Sequence, residues 1–322
     1  MKLSNKSILV TGGAGFIGSH MVDSLIQQNK VTVFDNLSSG TLEFLKHHQN
    51  NDNFLFIEDD LMNPKAILAA LNGIDVVFHL AANPDVKLGS QDTRVHLEQN
   101  VLATYNLLEA MRQTNTKYII FTSTSTVYGE ALIMPTPEDY GPMVPISLYG
   151  ASKLACEALI SSYCHTFDMT SWLYRFANIV GQRGTHGVVI DFINKLRVDP
   201  FSLEILGSGK QKKSYLDVID CVDAMVYGME YSDKQVNIFN IGSKDSIDVI
   251  DIADIVTERM GYKDVEYRFT GGVDGGAGWK GDVKFMLLSI DKIKKLGWNP
   301  VHNSHQSIKM AVDSLLKAQQ GI

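Results

Sequence analysis

A phenol and an ammonium group stand four residues apart, at Tyr149 and Lys153. If this segment is helical, residues at that spacing lie on one face and are neighbours. An ammonium within about 5 Å favours the phenolate and lowers the pKa of a tyrosine from its usual value of about 10. Such a tyrosine can take the proton of an alcohol while a hydride leaves the same carbon. The pair predicts base catalysis on an alcohol, provided that its surroundings fit this chemistry.

Residues 121–129, which precede this pair, are rich in hydroxyl groups. They read Phe-Thr-Ser-Thr-Ser-Thr-Val-Tyr-Gly and continue an apolar run that begins at Tyr118. The carboxyl ends of parallel strands face the ligand crevice of an open α/β sheet. We therefore expect one of these hydroxyls to bond the reacting alcohol oxygen and relay its proton to Tyr149. Most of the others would cap their own turn.

Three glycines follow the first apolar run at a regular spacing. Gly12, Gly15 and Gly18 form a Gly-x-x-Gly-x-x-Gly pattern between a strand-like and a helix-like segment. Without Cβ atoms the backbone can turn sharply and let a pyrophosphate approach, and the amides of the following helix then face the phosphates. In this context the pattern predicts a dinucleotide-binding turn.

Two acids that end apolar runs bear on the identity of the dinucleotide. Asp35 ends the second run, where a carboxylate can accept both hydroxyls of the adenosine ribose and would repel a 2′-phosphate. No arginine stands in residues 36–40 to receive that phosphate, so the sequence favours NAD over NADP. Asp60 ends the third run, where it could accept the adenine amino group or cap the helix predicted at Pro64, and the spacing leaves both open.

The segments that would hold these residues alternate between strand and helix patterns. Short, almost continuous apolar runs predict strands buried on both faces, and the periodic segments between them predict helices. The predicted strands are Ser7–Val10, Val31–Phe34, Phe54–Ile57, Asp75–His79, Tyr118–Thr122 and Ser171–Arg175. The predicted helices are Ser19–Gln28, Pro64–Leu71, Val101–Arg112 and Tyr149–His165. This alternation predicts an α/β fold with a doubly wound parallel sheet of Rossmann type.

The pattern loosens after Asn178, and we expect a domain boundary there. Residues 1–178 would form the NAD-binding domain, and residues 179–322 a smaller C-terminal α/β lobe for the substrate. The predicted elements of this lobe are helices at Asp220–Tyr231, Asp248–Met260 and Ser304–Gln319, with a strand at Asn237–Ile241 that returns towards the first domain. Six of the residues from Gly271 to Gly281 are glycine, which predicts a loop.

Composition limits the partners and the location. The chain has 322 residues, of which 45% are hydrophobic and 20% charged, and a net charge of −7. This balance is typical of a globular protein and argues against nucleic acid or an anionic membrane as a partner. The three cysteines form no disulfide framework or Cys-x-x-Cys pair. With no bilayer-length apolar run and no signal-peptide pattern, we expect a cytoplasmic protein.

The histidines give no sign of a metal site. None of the nine has the spacing of a common zinc motif. His47 and His48 are adjacent, and we interpret them as a solvated pair. We therefore predict no bound metal.

Taken together, these motifs resemble a known superfamily. Residues 11–18, the Tyr149/Lys153 pair and the hydroxyl-rich strand end are similar to those of the extended short-chain dehydrogenase/reductases. Residues 34–40, 123–129 and 100–104 resemble the NAD-dependent sugar-nucleotide epimerases within it, chiefly the UDP-glucose 4-epimerases, and residues 79–86 look most like the archaeal members. The resemblance runs nearly end to end, through Gly207-x-Gly209-x-Gln211 and Gly281-Asp282-Val283.

The resemblance implies roles for individual positions of this sequence. It assigns catalysis to Thr124, Tyr149 and Lys153. It implies that NAD contacts Gly12, Gly15, Phe16, Ile17, Gly18, Asp35, Asn36, Ser38, Gly40, Asp60, Leu61, Leu80, Ala81, Ala82, Asn100, Tyr149 and Lys153. It implies that a UDP-sugar contacts Val86, Thr124, Tyr149, Asn178, Val189, Ile205, Lys213 and Asp282. Asn178 would meet the diphosphate, and Val189 and Ile205 would pack the uracil and its ribose.

Two positions depart from the family pattern. Lys213 and Trp279 stand where arginines usually bind the substrate diphosphate. An arginine fork makes two parallel hydrogen bonds, whereas lysine offers a point charge and tryptophan one neutral donor. Lys280 or Arg268 could supply the missing charge.

The resemblance implies inversion at C4 of a UDP-hexose, such as UDP-glucose or UDP-galactose, through a 4-keto intermediate. Relatives that eliminate water carry acids directly after the catalytic hydroxyl, whereas Ser125 and Thr126 stand here, so elimination is disfavoured. The same chemistry on UDP-glucuronate or a UDP-N-acetylhexosamine stays open. So do net oxidation of a sugar nucleotide or small alcohol and a non-catalytic NAD-sensing role.

The predicted helix after Tyr149 also bears on assembly. It carries a stripe of small or apolar residues, namely Leu154, Ala155, Ala158, Leu159 and Ser162. The corresponding helix of the family packs in a dimer, so the resemblance implies a homodimer.

Overall fold

The structure, a computed structural model, describes residues 1–319 of the chain. Its strands are β1 (Ser7–Thr11), β2 (Lys30–Asp35), β3 (Phe54–Glu58), β4 (Val76–His79), β5 (Tyr118–Thr124), β6 (Thr170–Phe176), β7 (Asn178–Val180), β8 (Ser202–Ile205), β9 (Lys212–Lys213), β10 (Tyr215–Asp217), β11 (Val236–Ile241), β12 (Ile247–Asp248), β13 (Glu266–Phe269) and β14 (Phe285–Met286). Its α-helices are α1 (Phe16–Leu25), α2 (Pro64–Ala70), α3 (Ala103–Thr114), α4 (Leu148–Phe167), α5 (Val188–Val198), α6 (Val218–Glu230), α7 (Val249–Met260), α8 (Asp291–Leu296) and α9 (Ser304–Gln319).

Seven strands form the main sheet, in the order β11-β6-β5-β4-β1-β2-β3. β1 lies parallel to β2 with Val10 opposite Val33, and parallel to β4 with Val10 opposite Phe78. Strand order reverses at β1, which is the switch point where open α/β sheets bind ligands beyond the carboxyl ends of their strands. The predicted α/β fold of Rossmann type is confirmed. The strand predicted at 237–241 is part of this sheet, beside β6.

The chain forms two compact units, each assembled from several stretches of sequence. The first comprises residues 1–127, 148–175 and 222–239, and the second comprises the remainder of the described chain. The contiguous division at Asn178 stays a prediction, and residues 320–322 of the lobe it defines lie outside the described residues.

Each unit has its own hydrophobic core. In the first, strands of the main sheet pack with α2, α3 and α4, and Phe121, Leu107 and Ile160 are among the buried residues. In the second, α5, α7 and α9 pack around β8, with Phe192 and Val256 in the centre. Burial of both faces of the main sheet therefore explains why the strands of the first unit are almost continuously apolar in sequence.

The helix predicted at Val101–Arg112 begins differently from the expectation. Residues Leu97–Leu102 form a π-helical turn that leads into α3. A π-turn carries one extra residue and shifts the helical face, so a regular 3.6-residue pattern does not reveal it. This turn contains Asn100.

Among residues 1–319, no helix has the length and apolar character needed to cross a bilayer.

Candidate active site

Tyr149 and Thr124 form a hydrogen-bonded pair at one end of the main sheet. Tyr149 lies in the first turn of α4, and Thr124 is the last residue of β5. The Thr124 hydroxyl is hydrogen-bonded to the phenol of Tyr149 and accepts a 3.2 Å hydrogen bond from the amide of Thr126. One of the hydroxyls of the Ser/Thr-rich segment therefore contacts the phenol directly.

Lys153 lies one helical turn after Tyr149 and is 2% exposed. Its ammonium donates a 2.9 Å hydrogen bond to the carbonyl of Thr122 and lies 4.7 Å from the centre of the Phe121 ring. Burial lowers the pKa of Lys153 to about 8, with a smaller opposing influence from Cys156 and Glu157. The ammonium is thus fixed to β5 and keeps its charge only up to mildly alkaline pH.

The phenol is not acidified by the chain. Burial raises the pKa of Tyr149 to about 12, the charge of Cys156 adds to this, and the Thr124 hydrogen bond only partly opposes it. The expectation that Lys153 lowers this pKa is wrong for the chain's own groups, because burial raises the pKa instead and the Lys153 ammonium is hydrogen-bonded to Thr122. The protein holds Tyr149 as a proton donor at neutral pH.

His96, which sequence reasoning missed, is a neighbour of the phenol. Its ring meets the Tyr149 ring edge-on at a centroid distance of 5.6 Å, and it is 1% exposed. Burial lowers the pKa of His96, so the imidazole is neutral at neutral pH. A single histidine in the segment 92–100 gives no periodic or motif signal that could have found it.

A chain of hydrogen bonds joins the start of α4 to the π-helical turn and to the segment after β4. Asn100 donates to the Ser152 hydroxyl at 2.9 Å, and Ser152 donates to the carbonyl of Tyr149 at 2.7 Å. The Asn100 side chain also accepts from the amide of Asn83 at 2.8 Å. The π-helical turn therefore positions the backbone of the catalytic candidate rather than its phenol.

His79 forms a second buried connection. Its two ring nitrogens lie 2.7 Å from the Thr11 hydroxyl and 3.0 Å from the Thr104 hydroxyl. Burial, aided by the charge of Lys153, lowers the pKa of His79 to about 3. A neutral imidazole thus joins the end of β1 to α3.

The glycine turn after β1 has no room for side chains. Gly12 has φ +71°, and a Cβ there would lie 2.6 Å from the amide nitrogen of Ala81. A Cβ on Gly18 would collide with the carbonyl of Gly12. Gly15 caps the N-terminus of α1, which has no side-chain cap to satisfy its first amides. This close, uncapped turn fits a dinucleotide pyrophosphate.

The predicted ribose carboxylate lies at the end of β2. Asp35 is 9% exposed and accepts 2.9 Å hydrogen bonds from the amides of Ala14 and Leu37. Burial raises the pKa of Asp35, while these two amides oppose the shift. The hydrogen bond with Ala14 links Asp35 to the glycine turn. The residues predicted to contact the adenosine ribose and the pyrophosphate of NAD are therefore directly connected.

Asp60 does not cap the helix at Pro64, whose N-cap is Asn63, and its contact with adenine stays a prediction. One carboxylate oxygen accepts from the amide of Met62 at 2.8 Å, within the turn before α2, and the other accepts from the Asn36 side chain at 2.8 Å. The remaining predicted NAD residues, Phe16, Ile17, Ser38, Gly40, Leu61, Leu80, Ala81, Ala82 and Asn100, also belong to the first unit.

The predicted substrate residues divide between the units. Val86, Thr124 and Tyr149 belong to the first, and Asn178, Val189, Ile205, Lys213 and Asp282 belong to the second. The ammonium of Lys213 lies 2.5 Å from a carboxylate oxygen of Asp282 and 5.5 Å from the centre of the Trp279 ring.

The other second-unit residues differ in their exposure. Ile205 and Val189 are 0% and 4% exposed, within the core of the unit. The Asn178 side chain donates to the carbonyl of Ser214. Arg268 forms an exposed ion pair with Glu266.

The comparison with protein families agrees with this geometry. Residues 8–242 match the NAD dependent epimerase/dehydratase family. The chain belongs to this family. NAD is the cofactor in the family's description, and the turn at Gly12–Gly18 fits it, so the resemblance and the cofactor predicted from the motifs are confirmed.

Several family members resemble the chain along its whole length. A Methanocaldococcus jannaschii protein provisionally named UDP-glucose 4-epimerase is 32% identical over 95% of this chain and 97% of its own. The crystal structure of a UDP-galactose 4-epimerase is 42% identical, with a TM-score of 0.86 over 97% of this chain and 99% of that one. The UDP-N-acetylglucosamine 4-epimerase of Methanobrevibacter ruminantium is 30% identical, with a TM-score of 0.87 over 98% and 99%. The family is thus represented by enzymes that act on different UDP-sugars.

Proposed function

We propose that this chain is an NAD-dependent 4-epimerase of a UDP-hexose and interconverts UDP-glucose and UDP-galactose. The observation that carries the proposal is the hydrogen bond between Thr124 and Tyr149, with Lys153 one turn away on the same helix. These groups share one compact unit with the glycine turn. A phenol, a hydroxyl and an ammonium in this order can move one proton to and from an alcohol.

The proton transfers use the chain's own groups. In its phenolate form Tyr149 accepts the proton of the C4 hydroxyl, and as the phenol it later returns it, while the Thr124 hydroxyl orients that oxygen. Lys153 stabilises the phenolate form through its positive charge, and its bond to Thr122 keeps it in place. Asn100 and Ser152 hold the backbone of Tyr149 during both transfers.

The first unit holds the cofactor in this proposal. Gly12, Gly15 and Gly18 receive the pyrophosphate, and Asp35 receives the adenosine ribose. When bound, NAD supplies the reversible hydride acceptor and, in its oxidised form, a positive charge. That charge matters because the chain alone keeps the Tyr149 pKa near 12.

The second unit binds the nucleotide half of the substrate in this proposal. Lys213 supplies a cation for the diphosphate, although the carboxylate of Asp282 already balances much of its charge. Asn178 offers an amide for the diphosphate, and Val189 and Ile205 shape the uracil site from the core beneath it. The keto sugar must turn over between the two transfers, so we expect tight binding of the nucleotide and loose binding of the hexose.

The surroundings of Thr124 support epimerisation over elimination. Ser125 and Thr126 follow it, where a dehydratase would carry acids. A nearby acid is Glu157, and it is bound to Arg175 at 2.7 Å and to the Ser123 hydroxyl at 2.5 Å. The Glu157 carboxylate is thus engaged by a guanidinium and a hydroxyl of the chain itself.

The test is conversion of UDP-galactose by the purified protein, with UDP-glucose separated by anion exchange. We expect turnover without net change in NADH absorbance, since the hydride returns to the sugar. Parallel assays with UDP-glucuronate and UDP-N-acetylglucosamine decide the substrate. NADH release equal to substrate consumed would indicate an oxidoreductase, and no turnover of any UDP-sugar by NAD-loaded protein would exclude the proposal.

A further inference from the structure

Two imidazoles and one carboxylate converge on α1, at its C-terminal half. His47 and His48 end the 3₁₀ helix Leu42–His48, and Asp23 lies on α1. The Nε2 atoms of His47 and His48 lie 2.8 and 2.6 Å from the same oxygen of Asp23, Oδ1. The interpretation of the two histidines as a merely solvated pair is therefore wrong.

We propose that Asp23, His47 and His48 form a binding site for a divalent transition metal such as Zn²⁺. Their three ligand atoms all lie within 4.8 Å of one another. Imidazole nitrogen and carboxylate oxygen are ligands that Zn²⁺ prefers, at about 2.0–2.2 Å each. Tetrahedral ligands at that distance lie about 3.3 Å apart, so the existing contacts need to open by only a fraction of an ångström.

The exposure of the three side chains gives the metal a route of entry. The His48 side chain is 8% exposed, that of Asp23 30% and that of His47 50%. The site is thus buried on the side of His48 and open to solvent on the side of His47. Water can complete the coordination from that side, as in zinc sites with three protein ligands.

A metal at this site would also restrain the segment between β2 and the two histidines. The 3₁₀ helix begins after Thr41, whose amide donates to the carbonyl of Ala14 at 3.0 Å. A metal bound to Asp23 and the two histidines would hold residues 36–46 between two fixed points, Asp35 at one end and the metal at the other. The site does not depend on the proposed epimerase activity.

The test uses untagged protein as purified with its nucleotide, stripped of metal by dialysis against a chelator. We expect one equivalent of Co²⁺ to give the visible absorption of a four-coordinate centre and Zn²⁺ to displace it. We also expect Zn²⁺ to raise the midpoint temperature of unfolding, because a ligand that binds only the folded state stabilises it.

Three variants and one control separate metal binding from hydrogen bonding. His48→Gln and His47→Gln can retain a hydrogen bond to Asp23 but remove an imidazole, and Asp23→Asn removes the carboxylate charge. Each should weaken Co²⁺ binding at least tenfold. His302→Ala is the matched control, because His302 also contacts an aspartate, Asp220 at 3.2 Å, without a second imidazole.

Two results would overturn the proposal. One is Co²⁺ binding by the wild type that does not saturate at one equivalent. The other is binding of equal strength by the wild type and by whichever of the three variants fold, as judged by circular dichroism. Retention of tight binding in His302→Ala, with loss in the others, supports it.

Discussion

At the scale of single residues, the proton chemistry depends on a phenol that the protein itself makes less acidic. Desolvation raises the pKa of Tyr149 to about 12 and lowers that of Lys153 to about 8. The two pKa values thus move apart from nearly equal ordinary values, because burial disfavours the charged form of each group, the phenolate and the ammonium.

Tyr149→Phe should lower the epimerisation rate about 10²–10⁴-fold, since it removes a group that acts as acid and base. The measurement is kcat with UDP-galactose on NAD-loaded protein. Tyr163→Phe is the control, because Tyr163 lies on the same helix and its hydroxyl contacts Glu109. A loss of less than tenfold in Tyr149→Phe would contradict the assigned role.

Lys153→Met should change how stability depends on pH. The folded-state pKa of Lys153 is about 8 against 10.5 for an ordinary lysine. Between those values the unfolded chain binds a proton that the folded chain has released, so the free energy of unfolding of the wild type rises with pH. The wild type should gain up to about 3 kcal/mol relative to Lys153→Met across this range.

Urea unfolding of nucleotide-free protein at several pH values between 7 and 10.5 measures this difference. Below pH 8 the charged lysine costs stability, so Lys153→Met should be the more stable protein there. Parallel curves for the two proteins would show that the buried ammonium does not titrate in this window.

At the scale of elements, α4 is joined to the sheet by a buried ion pair. Glu157 on α4 contacts Arg175 on β6 at 2.7 Å, and the side chains are 5% and 2% exposed. Glu157→Gln should destabilise the protein by about 3–5 kcal/mol, because it removes the carboxylate charge that balances a buried guanidinium. Glu43→Gln, in an exposed pair with Lys46, should cost less than about 1 kcal/mol.

Urea unfolding at neutral pH compares the two variants. The double substitution Glu157→Leu/Arg175→Met should recover much of the loss, since an apolar pair leaves no unpaired charge. Equal small losses for Glu157→Gln and Glu43→Gln would contradict the importance of the buried pair.

The elements could be predicted from the sequence where local chemistry determines them. The glycine turn requires residues without Cβ atoms, and the continuous apolar strands require burial on both faces, so both were visible in the pattern. The π-helical turn at Leu97–Leu102, the contact of His96 with Tyr149 and the Glu157–Arg175 pair depend on residues distant in sequence. The pKa of Tyr149 was mispredicted for the same reason, because burial is a property of the packed unit.

At the scale of the whole molecule, the exposed surface of the first unit bears on assembly. Leu97, Leu102 and Tyr105 are 52%, 39% and 44% exposed on the π-helical turn and α3. On α4, Ala158 and Ser162 of the predicted stripe are exposed as well. This exposed surface supports the homodimer that the resemblance implies, which would cover it.

Ala158→Arg should convert the expected dimer to a monomer, because it places a charge on the exposed part of that stripe. Light scattering coupled to size exclusion measures the mass of the particle. Val198→Arg, at an 88% exposed position at the end of α5, should leave the mass unchanged. A wild type that elutes as a monomer would contradict the proposal of a dimer.

The spacing of Tyr149, Lys153 and Glu157 along α4 determines where the chain can accept inserted residues. The three residues follow one another at intervals of four, so one face of a single helix carries the proposed base, its cation and the buried ion pair. A one-residue insertion between Tyr149 and Lys153 would rotate the first by about 100° relative to the others. Insertions of this kind should abolish turnover, whereas the loops around Gly141 or Gly271 should accept extra length.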